Sequence, residues 1–105
     1  MVNYRRNPIK GGSYFLTITL RDHRSDFLVR YIDLLRNAMR RVKQEDPYEI
    51  KAIVILPEHL HMILQLPDED FNYSQRIRKM KSYFTSSLKK NGISLEKDRR
   101  GEYLF

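Results

Sequence analysis

His59-Leu60-His61-Met62-Ile63-Leu64-Gln65-Leu66 is the stretch that decides how this chain folds. Side chains on a β-strand alternate between two faces. Read at that period, Leu60, Met62, Leu64 and Leu66 make one unbroken apolar face, and His59, His61, Ile63 and Gln65 make the other. The apolar face is expected on a core. The histidine face is expected to stay open, with both imidazoles pointing the same way. Upstream, Lys51-Ala-Ile-Val-Ile-Leu56 is apolar and rich in β-branched residues, and Pro57-Glu58 is turn-like. Residues 49–56 and 59–66 therefore read as the strands of a hairpin.

Working outward, residues 14–21 alternate in the same way. Tyr14, Leu16, Ile18 and Leu20 share one face; Phe15, Thr17, Thr19 and Arg21 share the other. Residues 29–44 carry Ile32, Leu35, Met39 and Val42 at helical spacing, and Pro47 ends that helix. Pro67-Asp-Glu-Asp70 reads as an acidic loop. Asn72, with Gln75 three residues on, has capping-box spacing. A second helix runs from there to about residue 91 and places Tyr73, Ile77, Met80, Phe84 and Leu88 on its core side. Gly92 suits its left-handed C-terminal cap.

Tyr103 to Phe105 read as the start of a fourth strand left incomplete, and residues 1–12 as a basic arm with Arg5, Arg6 and Lys10. The order β-α-β-β-α-(β) is that of an α+β, ferredoxin-like split βαβ fold, an antiparallel sheet with two helices on one face. First and third strands are neighbours in such a sheet. Thr17, Thr19 and Arg21 are then expected to flank the two histidines on the open face.

One hundred and five residues make a single domain, 1–105, with one modest core. With 20 Lys+Arg against 13 Asp+Glu the net charge is +7, which suits a polyanionic partner and is equally compatible with plain solubility. The absence of cysteine excludes disulfides, thiolate catalysis and cysteine-based zinc sites. Neither a signal-peptide pattern nor a membrane-length apolar run occurs, so a cytoplasmic protein with no membrane partner is the expectation.

A bare His-x-His pair is a weak motif, more often a solvated or core-satisfied pair than a metal site. Its surroundings are more specific. Asn3-Tyr-Arg-Arg6, Gly11-Gly-Ser-Tyr-Phe-Leu-Thr17, Arg21-Asp-His-Arg-Ser-Asp-Phe-Leu28, Ile55-Leu-Pro-Glu-His-Leu-His61 and Arg76-Ile-Arg-Lys-Met-Lys-Ser-Tyr-Phe84 span nearly the whole chain. In that order they resemble the single-tyrosine HUH transposases, and most closely the REP-associated tyrosine transposases.

The resemblance implies that His59 and His61 ligate Mg²⁺ or Mn²⁺, which polarises a DNA phosphate as a Lewis acid. It also implies a single-stranded or hairpin DNA substrate, attacked by a tyrosine to leave a 5′-phosphotyrosine link. That tyrosine, and a third metal ligand, belong to a helix downstream of the last strand. Here the sequence stops at Gly101-Glu-Tyr-Leu-Phe105, so these residues are expected to bind DNA and metal without supplying the nucleophile. Tyr83, Tyr73 and Tyr103 do not match the nucleophile position.

The expected DNA-binding residues are Arg5 and Arg6 of the arm, Thr17, Thr19 and Arg21 beside the dyad, and Arg76, Arg78, Lys79 and Lys81 on the second helix. For the helix, a solvated basic face is the equal alternative. His23 stands in a polar turn and reads as solvated. A homodimer is one option for assembly, since an exposed sheet edge promotes pairing. The rival readings are a catalytically inactive single-stranded nucleic-acid-binding module and an unrelated ferredoxin-like metal-dependent hydrolase.

Overall fold

The alternation in residues 14–20 and 60–66 is realised as two paired strands at the centre of a four-stranded antiparallel sheet. The structure is a computed structural model that describes residues 2–4, 11–95 and 104–105. In chain order its elements are β1 (Val2–Tyr4), β2 (Ser13–Thr19), α1 (Phe27–Arg30), α2 (Ile32–Glu45), β3 (Glu49–Ile55), β4 (His59–Gln65) and α3 (Tyr73–Lys90). The sheet order is β1-β2-β4-β3. The expected α+β architecture is therefore present, with the first and third of the anticipated strands side by side as β2 and β4.

Tyr14, Leu16, Ile18 and Leu20 from the β2 segment meet Leu60, Met62, Leu64 and Leu66 from the β4 segment in one buried layer. Leu35, Met39 and Val42 of α2 and Ile77, Met80, Phe84 and Leu88 of α3 close over it. Both long helices thus cover the same sheet face. β3 joins through a bulge. Its register shifts between Ile50 and Ala52, so Ile50, Ile53 and Ile55 all pack on the core although their spacing breaks strict alternation.

Three expectations are corrected. Residues 1–12 are not simply an arm, because Val2–Tyr4 pair with Leu16–Ile18 as an edge strand. A three-residue segment is too short to show a period, which is why its sequence did not reveal it. The first helix is two pieces, α1 and α2, separated at Tyr31, and the Leu28 N–H of the first piece donates to the Pro57 carbonyl of the hairpin turn. At the other end of the chain, Leu104 and Phe105 form no strand; the Leu104 carbonyl accepts from the Arg21 N–H at 2.8 Å. Arg5, Arg6, Lys10 and Tyr103 lie outside the described residues.

Both ends of α3 are capped as the sequence implies. Asn72 accepts from the Gln75 N–H at 3.1 Å and donates through its amide to the Gln75 side chain. At the far end Gly92 has φ of +77°, and the Ile93 and Gly92 N–H groups reach the Leu88 and Lys89 carbonyls, a Schellman cap.

Arg76 holds α3 to the corner between α2 and β3. Its side chain is 4% exposed and donates to the carbonyls of Asp46, Pro47 and Asn72 and to the Asp70 carboxylate at 2.9 Å. Arg76 is thereby withdrawn from the expected DNA-binding set. Burial of a guanidinium is tolerated only when its donors are matched, and here all three nitrogens are.

Arg76→Ala is expected to cost about 2–3 kcal/mol in urea unfolding, below the roughly 3–5 typical of breaking a fully buried pair because Asp70 is partly exposed. Hydrogen bonds from Arg76 first, then from the Asn72 backbone, hold the Asp70 carboxyl below its ordinary value. A depressed carboxylate stabilises the fold above its unfolded value and ceases to do so as pH falls through the folded one. The difference in midpoint between wild type and variant is accordingly expected to shrink below about pH 4. An equal midpoint at neutral pH would refute the brace.

Candidate functional site

The sheet face turned away from the helices carries the histidines. Cross-strand pairs share a face, and the register puts Thr19 opposite His59, and Thr17 and Val54 on either side of His61. The next row is Phe15, Ile63 and Ala52. Strand alternation thus brings Thr17 and Thr19 beside the dyad as expected. The two imidazoles meet edge to face, with centroids 5.0 Å apart.

Each ring is held at the nitrogen nearer its backbone. Nδ1 of His59 bonds the Glu58 carboxylate, and Nδ1 of His61 lies 3.0 Å from the Thr17 hydroxyl. An ionised carboxylate only accepts, so the neutral His59 tautomer that suits this contact has its proton on Nδ1 and its lone pair on Nε2. Thr17 can donate or accept, and accepting would give His61 the same tautomer. An Nδ1 fixed by an oxygen partner is the usual support of a metal-bound imidazole. This donor chemistry suits Mn²⁺ and, less strongly, Mg²⁺, which prefers oxygen. Among the described residues no cluster of three or more His, Cys, Asp or Glu side chains is poised to hold a metal.

Glu58 was not anticipated as a site residue. Its signal was its place directly before His59, in a turn that reads as mere connection. Alternation places Phe15 on the open face and by itself assigns it no chemistry. It is 61% exposed and stacks on His61 with centroids 5.9 Å apart.

The helical cations are not brought to the dyad, because α3 covers the opposite sheet face. Lys79 is engaged by Asp46 at 3.0 Å and Glu45 at 3.2 Å, which raise its pKa. Lys81 is half-buried, and that burial lowers its pKa. Arg78 is exposed, and Arg21 follows the end of β2 on the His59 side. Tyr14, Tyr48 and Tyr73 are core residues, and Tyr31 and Tyr83 pack against that core. Tyr83 donates to Glu45 under the Arg41 guanidinium. None of these five tyrosines therefore faces the histidines. His23 is exposed. No described helix is long and apolar enough to cross a membrane.

No family model matches the chain. Individual relatives do. A Haemophilus influenzae protein named as a REP-associated tyrosine transposase is 43% identical over 100 residues, 95% of this chain and 57% of the relative. The REP-associated tyrosine transposase of Escherichia coli K12 is 47% identical over 85 residues, 81% of this chain and 52% of the relative. Among solved structures, a REP-associated tyrosine transposase bound to a REP hairpin superposes with a TM-score of 0.79 at 45% identity, covering 85% of this chain and 54% of that one. A Deinococcus radiodurans protein described as a transposase shares the fold alone, with a TM-score of 0.62 at 14% identity. The chain spans about half the length of the curated relatives it matches. Over that span, in both sequence and fold, the chain is similar to the REP-associated tyrosine transposases.

Proposed function

We propose that this chain is a metal-assisted DNA-binding unit of a transposase, taking hairpin DNA with a single-stranded flank. The observation that carries this reading is the dyad on the open sheet face, each Nδ1 held by an oxygen. The 45% identity to a transposase bound to a REP hairpin supports the choice of DNA.

His59 and His61 would hold Mg²⁺ or Mn²⁺ through Nε2, and the ion supplies Lewis-acid polarisation of a phosphate. Glu58 and Thr17 fix the ring orientations. Arg21 and the exposed Arg78 contribute positive charge to the backbone contact, and Arg5 and Arg6 are proposed to do the same. Tyr14, Tyr31, Tyr48, Tyr73 and Tyr83 all lie in or against the core, away from the dyad, which favours binding over strand cleavage by these residues.

Binding of a flanked hairpin, followed by fluorescence anisotropy, is expected to weaken steeply with salt. If about four phosphates are neutralised, log K falls against log salt with a slope of roughly −3. Arg78→Ala should reduce that slope by about 1, whereas Lys79→Ala, whose ammonium is already paired, should leave it unchanged. Salt-independent binding would refute the backbone contact.

Calorimetry with Mn²⁺ is expected to show weak binding that His59→Ala or His61→Ala abolishes. Glu58→Ala should weaken it by roughly 10- to 100-fold, and Glu58→Gln, which still accepts through Oε1, by less. Equal binding by all variants would remove both the metal site and its support.

A further inference from the structure

We propose that Phe15 is a stacking platform for one nucleobase of single-stranded DNA, the base next to the phosphate held at His59 and His61. The proposal rests on the reading of the open face as the DNA-binding face and names what that face recognises.

Phe15 lies on an inner strand with 61% of its surface in water, although its neighbours on the core face are almost wholly buried. Its ring is not splayed at random: it lies 22° from the plane of His61. Ile63 sits across from it and Val54, 56% exposed, across from His61. The face therefore grades from a polar row at His59 and Thr19, through the row of His61 and Thr17, to an apolar row at Phe15, which lies two residues or about 6.7 Å beyond His61 and four residues or about 13 Å from the His59 row. A nucleotide has the same polarity, an anionic phosphate at one end and a flat π-face at the other.

Charge also admits a polyanion. Glu58, the carboxylate beside the dyad, is engaged by His59. Glu49, in the far row opposite Gln65, is paired with Lys51 at 3.3 Å. A second protein copy fits less well. Phe15, Ile63, Val54 and Ala52 are four apolar side chains, against roughly 20–30 residues a side in a stable interface. A base needs only the one ring, and stacking tolerates any base because each has a π-face.

The test is anisotropy binding of a hairpin with a single-stranded flank, using wild type, Phe15→Ala, Phe15→Leu and Phe15→Trp. Because Phe15 is largely exposed, these variants should keep the fold, which circular dichroism checks. Phe15→Ala and Phe15→Leu are expected to weaken binding by roughly 5- to 100-fold, and Phe15→Trp to preserve it. An abasic site at one flank position should cost the wild type a comparable factor and Phe15→Ala almost nothing, the signature of two groups in contact. If the wild type binds but Phe15→Ala and Phe15→Leu bind equally well, or the abasic and protein losses simply multiply, stacking is overturned while the DNA reading stands. If the wild type binds no hairpin, both fall. If Phe15→Ala leaves DNA affinity unchanged but converts a dimer to a monomer in sedimentation, the face belongs to a second copy and the proposal is overturned.

Discussion

Everything in this molecule depends on the seven-residue register between β2 and β4, from Ser13 opposite Gln65 to Thr19 opposite His59. A slip of one residue would turn every side chain of one strand to the other face. It would move His59 and His61 into the core or Leu16 and Ile18 into water. Burying a large aliphatic side chain contributes about 1.5–3 kcal/mol, so exposing several at once costs on the order of 10 kcal/mol. That is comparable to the entire stability of a domain, about 5–15 kcal/mol. Core packing therefore fixes the face on which the imidazoles stand, and Glu58 and Thr17 then set the orientation of each ring.

The second constraint keeps both helices on one side. α2 and α3 share the core face, and their outer contact is ionic: Glu45 and Asp46 at the end of α2 meet Arg41, Lys79, Gln75 and Tyr83. Arg76, buried beneath, reaches three backbone carbonyls around the same corner. Tyr48 adds a donor from its buried hydroxyl to the Met39 carbonyl at 2.6 Å, and burial pushes its pKa up to about 12. A good part of the basic charge on α3 is thus spent on holding the helical layer together. It is not a free phosphate-binding surface.

What could be read in the sequence was whatever has a period or a local partner. The alternation from Tyr14 to Leu20 and from Leu60 to Leu66, the five core positions of α3, and the Asn72 and Gly92 caps all belong to that kind. Each involves residues within about four positions of one another or a strict repeat. Arg76 does not. It stands between Tyr73 and Met80 on the buried side of the helix, but its acceptors at Asp46 and Pro47 come from 30 and 29 residues away. The bulge after Ile50 is hidden for the same reason: a broken alternation in Glu49–Ile55 is meaningful only once β4 lies beside it. The metal-type site was legible as a pair of histidines, and its supports only in part. Thr17 follows from strand pairing, whereas Glu58 looks like turn filler until its carboxylate is seen at Nδ1 of His59.

An open sheet face with exposed Phe15 and Val54 carries a risk, since apolar strands with an unpaired edge invite further strands. β3 is such an edge in this sheet, and its chemistry answers the risk. Glu49 and Lys51 place opposite charges at its start, paired at 3.3 Å, and the bulge after Ile50 bends the edge locally. Toward the other end of β3 no such guard is present: Val54 is apolar and exposed beside His61. Protection is strongest where no function is needed and absent beside the histidines. That distribution follows if the apolar surface around His61 is kept accessible for a ligand with one flat face and one anionic end.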